Sequence, residues 1–116
     1  YGNGKQVRDL LYVRDLVRLY DLAFENMDRV AGSIFNVGGG PTNTLSLIEF
    51  LEILKHKLGQ PISFQTSAVR PGDQPIYISD NTLALESLGW KPTTTVAQGV
   101  DQLWMWVDSN KNLLKF

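Results

Sequence analysis

The sequence predicts a mixed α/β domain of α+β character, about four helices joined by short strands. Three observations predict it: apolar residues recur at helical spacing in four stretches, short runs of strand formers alternate with those stretches, and Gly or Pro marks most of the boundaries. The 116 residues are 43% hydrophobic and 20% charged, which suits a single small globular domain, residues 1–116. A net charge of −1 gives no field to gather nucleic acid or an anionic membrane. The absence of cysteine excludes disulfide and thiolate chemistry. No apolar run is long enough to span a bilayer, and a cytoplasmic location is expected. The chain opens Tyr1-Gly2-Asn3-Gly4 without a Met, so a piece of a longer polypeptide is the expectation.

Asn3-Gly4 reads as a turn. Lys5 to Val13 is rich in strand formers, and extended geometry places Arg8, Leu10 and Tyr12 on one face. From Val13 the period becomes helical through Leu16, Val17, Tyr20, Ala23, Phe24 and Met27, with Asp15 as the expected N-cap. Ser33 to Val37 is a short apolar run that stops at Gly38-Gly39-Gly40-Pro41 and reads as a strand. Ser46 and Glu49 make a capping box, Leu45 and Phe50 a hydrophobic staple, and Leu47, Leu51, Leu54 and Leu58 the buried stripe of a second helix ended by Gly59 and Pro61. Ile62, Phe64 and Thr66 alternate as in a half-buried strand, and Pro75 to Ser79 reads as another. Asp80 is placed to cap a short helix closed by Gly89. Thr95 and Gln98 form a second capping box ahead of a helix carrying Val96, Val100, Leu103, Trp104 and Val107. So thin a sheet leaves apolar faces partly exposed, and a further domain is expected to cover them.

Three features carry candidate chemistry. Arg8 is suited to fork onto phosphate oxygens, although from spacing alone a surface ion pair with Asp9 or Asp15 is the ordinary reading. In Arg70-Pro71-Gly72-Asp73, Pro71 and Gly72 bend the loop so that an Arg and an Asp stand close together. Phosphate and ribose recognition is one reading of that loop and a turn with an internal ion pair the other. Gly38 to Gly40 is neither a dinucleotide fingerprint nor a P-loop, and a tight connection accounts for it better than an anion cradle. His56 is the only histidine and no zinc site can be completed around it. Trp90 and Trp104 fit core positions, whereas Trp106 falls off the apolar stripe and faces a partner surface in this reading.

The run Gly4-Lys5-Gln6-Val7-Arg8-Asp9-Leu10-Leu11-Tyr12-Val13-Arg14-Asp15-Leu16 resembles the GxGxQxRDxxxVxDL segment of the extended short-chain dehydrogenases/reductases, the NAD-dependent epimerase/dehydratase family. Phe35-Asn36-Val37-Gly38, Arg70-Pro71-Gly72-Asp73 and Leu88-Gly89-Trp90-Lys91-Pro92 are similar to its FN[IV]G, RPGD and LGWxP segments, in the same order. The resemblance implies an N-terminal Rossmann domain that binds NAD and a smaller C-terminal part, this chain, that binds a nucleotide-diphosphate sugar. It implies Arg8 and Arg70 at the diphosphate, Asp73 at a ribose hydroxyl and Tyr77 near the sugar or nucleotide. The loops at Gly38 to Ser46 and Asp73-Gln74 are most similar to 2-epimerases of CDP-sugars. A 4-epimerase, a 4,6-dehydratase and a free-standing, non-catalytic nucleotide-binding module are the alternatives. The family's GxxGxxG loop is absent, and neither Tyr12 nor Tyr20 has the Lys four residues on that its YxxxK pair requires. The chain is therefore expected to be inactive alone, with catalytic Tyr, Lys and NAD supplied by the rest of a parent that is expected to be a homo-oligomer.

Overall fold

A computed structural model describes residues 2–114. The strand formers of the first segment condense into β1 (Val7–Asp9), the middle of a three-stranded sheet. It pairs antiparallel with β2 (Thr44–Ser46), Arg8 opposite Leu45, and parallel with β3 (Ile76–Tyr77), Arg8 opposite Tyr77. Between β1 and β2 run α1 (Val13–Glu25) and α2 (Met27–Val30), between β2 and β3 runs α3 (Leu47–Leu58), and α4 (Thr82–Leu88) and α5 (Val96–Ser109) follow β3. The expected α/β class holds, and a break at Asn26 splits off α2 as a fifth helix.

Both capping boxes form. The Ser46 side chain accepts from the Glu49 amide, and the Glu49 carboxylate accepts from the Ser46 amide at 2.6 Å. Thr95 and Gln98 repeat the exchange at the start of α5. Asp15 is not a cap. The helix starts one residue after Tyr12, so Asp15 lies inside the first turn and faces inward. Asp80 lies one residue ahead of the cap position of α4 and accepts from the Thr82 amide at 2.9 Å.

The core gathers Leu19, Val30, Ala84, Leu88 and Trp90, with Leu11, Leu16, Ala23, Phe35 and Val37 against them. Trp90 is fully buried and its indole N–H donates to the Asp15 carbonyl at 2.8 Å. α1 therefore turns its Leu19 face inward and leaves Val13, Val17, Tyr20 and Phe24 exposed. The expected stripe had mixed two faces, since both are apolar. On α3 no residue is fully buried, and Leu47 and Leu58 are exposed, because nothing among the described residues covers that side. The expected strands at 33–37 and 62–66 do not form. Phe35 and Val37 do face the core while Ile34 and Asn36 stay exposed, which is strand periodicity without a strand to pair with. Residues 63–66 are exposed, and a lone bridge joins Gly2 to Ser67.

Candidate functional site

Strand β1 presents alternate side chains to opposite sides of the sheet. On one side Gln6, Arg8 and Leu10 line a cleft of about 410 Å³. The loop before β3 brings Arg70 and Asp73 to the same cleft. That loop bends at Gly72, whose φ of +78° lies in the left-handed region, and the Asp73 amide donates to the Arg70 carbonyl at 3.1 Å. The apolar part of the lining is Leu45 from β2, paired beside Arg8, with Leu47 and Phe50 from the first turn of α3.

Two guanidinium groups far apart in sequence thus share one cleft with one carboxylate. Arg8 Nη2 donates to Asp73 Oδ1 at 3.0 Å, and Gln6 Nε2 donates to Asp73 Oδ2 at 3.2 Å. A second Arg8 donor, Nη1, is fixed on the Val7 carbonyl at 2.8 Å. The Arg8 and Asp73 side chains are 40% and 24% exposed, so the pair sits at the mouth, in reach of a solute. Neither carboxylate of the ordinary reading pairs with Arg8. Asp9 accepts instead from the amides of Gly40, at 2.9 Å, and Ser79, at 3.1 Å. Burial works against its ionisation, but these hydrogen bonds and one from the Ser79 hydroxyl outweigh it and hold Asp9 below the usual carboxylate range. Asp15 accepts from Arg18, Thr93 and Thr94.

Tyr77 stands opposite Arg8 in β3 but is not among the residues lining the cleft. Gln6, Leu45, Leu47 and Phe50 are lining residues that the sequence reading did not single out as a site. Gln6 could have been found by extending the alternation of β1 back by two positions. The apolar wall could not, because Leu45 and Phe50 carry only the signal of a hydrophobic staple.

The glycine run is a packing device. A Cβ on Gly39 would collide with the Leu10 carbonyl, and one on Gly38 with Ser79 and Asp9. The Gly38 and Gly40 amides already donate to Asn81 and Asp9. No amide of that pair is left for a pyrophosphate, so these residues do not fit an NAD cradle. One Tyr and Lys do stand four apart, Tyr1 and Lys5, against the expectation that the spacing was missing. Tyr1 lies outside the described residues.

Comparison with known proteins identifies the family that the motifs resemble. The profile of the family described as GDP-mannose 4,6 dehydratase matches residues 1–103. CDP-paratose 2-epimerase of Salmonella typhi is 34% identical over 108 residues, covering 93% of this chain and 32% of that one. Among solved structures, a UDP-glucose 4-epimerase of Thermotoga maritima with UDP-glucose superimposes with a TM-score of 0.80 at 29% identity, covering 96% of this chain and 34% of that chain. A dTDP-glucose 4,6-dehydratase of Bacillus anthracis in complex with NAD gives 0.79 at 28%, covering 97% and 34%. The chain spans about a third of the length of these proteins. With nearly all of its length matched by one family profile, this chain belongs to the GDP-mannose 4,6 dehydratase family, within the extended short-chain dehydrogenases/reductases that its motifs resemble.

Proposed function

We propose that the chain is the C-terminal, nucleotide-sugar-binding part of an NAD-dependent sugar-nucleotide epimerase. The observation that carries this reading is the convergence of Arg8 and Arg70 on one cleft beside Asp73. Like charges gather at a cost unless an anion or a carboxylate offsets them, and a lining with two guanidinium groups to one carboxylate suits a diphosphate. Arg8 and Arg70 grip the diphosphate, each able to fork onto two oxygens. Asp73 accepts from a ribose hydroxyl through lone pairs that Gln6 and Arg8 leave open, and Tyr77 approaches the edge of the nucleotide sugar. The apolar wall of Leu47 and Phe50 shelters a base or sugar face.

NAD belongs to the rest of the parent, which also supplies the catalytic Tyr and Lys. The similarity to CDP-paratose 2-epimerase supports a CDP-sugar and inversion at C2. The likeness to a UDP-glucose 4-epimerase supports the second reading, a UDP-sugar inverted at C4. In the parent, Arg70→Ala is expected to weaken nucleotide-sugar binding roughly ten- to a hundredfold through loss of one charge-assisted contact. NAD binding is expected to stay unchanged, and Arg70→Lys to recover part of the loss. Calorimetric titration with CDP- and UDP-sugars checks this and separates the two readings; an Arg70→Ala protein that binds both as well as wild type removes Arg70 from the site.

A further inference from the structure

We infer that Gln6 is a positioning residue, acting through Asp73 to aim the Arg8 guanidinium across the mouth of the cleft. The inference rests on the diphosphate reading above and extends it to a residue given no role there. A guanidinium has five N–H donors. One of Arg8's is fixed on the Val7 carbonyl of its own strand and one on Asp73 Oδ1, 65 residues on in the chain. Two anchors on different segments define the plane of the group, and the remaining donors keep one orientation toward the cleft. Asp73 can hold Arg8 only if its own carboxylate is held, and Gln6 does so by donating to the second oxygen at 3.2 Å. Gln6, just ahead of β1, and Arg8 within it line the same cleft, so both contacts tie the Arg70–Asp73 loop to one stretch of chain.

Gln6 carries no charge, so replacing it separates aim from electrostatics. An Asp73 substitution could not, because it removes a negative charge and raises the attraction for any anion at the same time. The experiment uses the full chain with ¹⁵N-labelled arginine, and Gln6→Ala and Gln6→Asn variants, the second keeping the amide but shortening its reach. Relaxation of the Arg8 Nε–Hε group is read without ligand. The group is expected to be ordered in the wild type and mobile in both variants, with the melting temperature held. An Arg8 signal equally ordered in both folded variants overturns the inference, whatever the chain binds.

Titration with cytidine diphosphate and its 2′,3′-dideoxy analogue then reads the consequence. Each Gln6 variant is expected to bind both probes roughly five- to tenfold more weakly, less than the direct loss of a hydrogen bond to a charged group because Arg8 itself remains, and to add no loss in an Arg8→Ala background. A loss seen only with the probe that carries ribose hydroxyls would mean that Gln6 serves Asp73 at the ribose, which overturns the aim proposed for Arg8. If the wild type binds neither probe, the diphosphate reading fails for this chain while the Nε relaxation still decides whether Gln6 orders Arg8.

Discussion

The buried Asp15 carboxylate ties α1 to the segment ahead of α5. Its carboxylate accepts from the Thr93 amide at 3.2 Å, the Thr93 hydroxyl at 2.7 Å, the Thr94 amide at 2.9 Å and Arg18 at 3.1 Å. Burial disfavours its charge, but the donors from Thr93, Thr94 and Arg18 prevail and hold the group far below the usual carboxylate range. All four partners donate, so an amide cannot replace the carboxylate: Asn offers one acceptor oxygen and would set its NH₂ against N–H groups. Asp15→Asn is expected to cost roughly 1.5–3 kcal/mol at pH 7. The sign with pH follows from the depressed value. Its contribution is complete above the unfolded carboxylate pKa of about 3.9 and is lost as pH falls below that toward the folded value. Wild type and variant are therefore expected to converge in stability as pH drops from about 4. Urea melts at several pH values check this, and a constant difference down to pH 2 would assign the stability to something other than the ionised carboxylate.

At the scale of elements, the helices are bounded by local chemistry and oriented by long-range contacts. α5 begins where Thr95 and Gln98 exchange hydrogen bonds with each other's amides, and α3 and α4 end on Gly59 and Gly89, both at positive φ. Thr95→Ala is expected to lose about 1 kcal/mol through the uncapped Gln98 amide, with Thr95→Ser close to wild type in thermal denaturation. A cap effect of this size moves the melting temperature while leaving the cleft intact, because Thr95 does not line it. The close approach of Gly39 to Leu10 joins segments distant in the chain, so Gly39→Ala has no such local remedy and is expected to cost more than the cap. A Gly39→Ala protein as stable as wild type would show that the loop can move away from Leu10.

At the scale of the whole molecule the fold is open. Its radius of gyration is 16.9 Å, where a compact domain of this length has about 13 Å. Its accessible surface is 8636 Å², where a compact monomer of its mass has roughly 6,300 Å². The excess goes with apolar side chains in the open: Phe24 and Ile34 are 77% and 87% exposed. If the chain is a third of a longer enzyme, as proposed, the remainder has this surface to cover. Phe24→Gln is accordingly expected to change the stability of the isolated chain by less than about 0.5 kcal/mol and to reduce its binding of an apolar dye. A fall in melting temperature of several degrees would mean that Phe24 supports this core instead. Among the described residues no helix is long and apolar enough to cross a membrane.

The sequence by itself determined the class of fold, both capping boxes, the glycine stops, the burial of Trp90 and the family motifs that mark Arg8, Arg70 and Asp73. Each of these is written in residues a few positions apart, or in a residue type with one dominant use. Tertiary structure decided the rest. The inward face of α1, the strands that found no partner at 33–37 and 62–66, and the exposure of α3 depend on which neighbours exist, and local periodicity carries no record of neighbours. The choice of Asp73 as the partner of Arg8, over the adjacent Asp9 and nearby Asp15, was settled the same way. Hydrogen bonds from Gly40, Ser79, Thr93 and Thr94 had already claimed the two closer carboxylates, and only the folded chain reveals which acceptor is left.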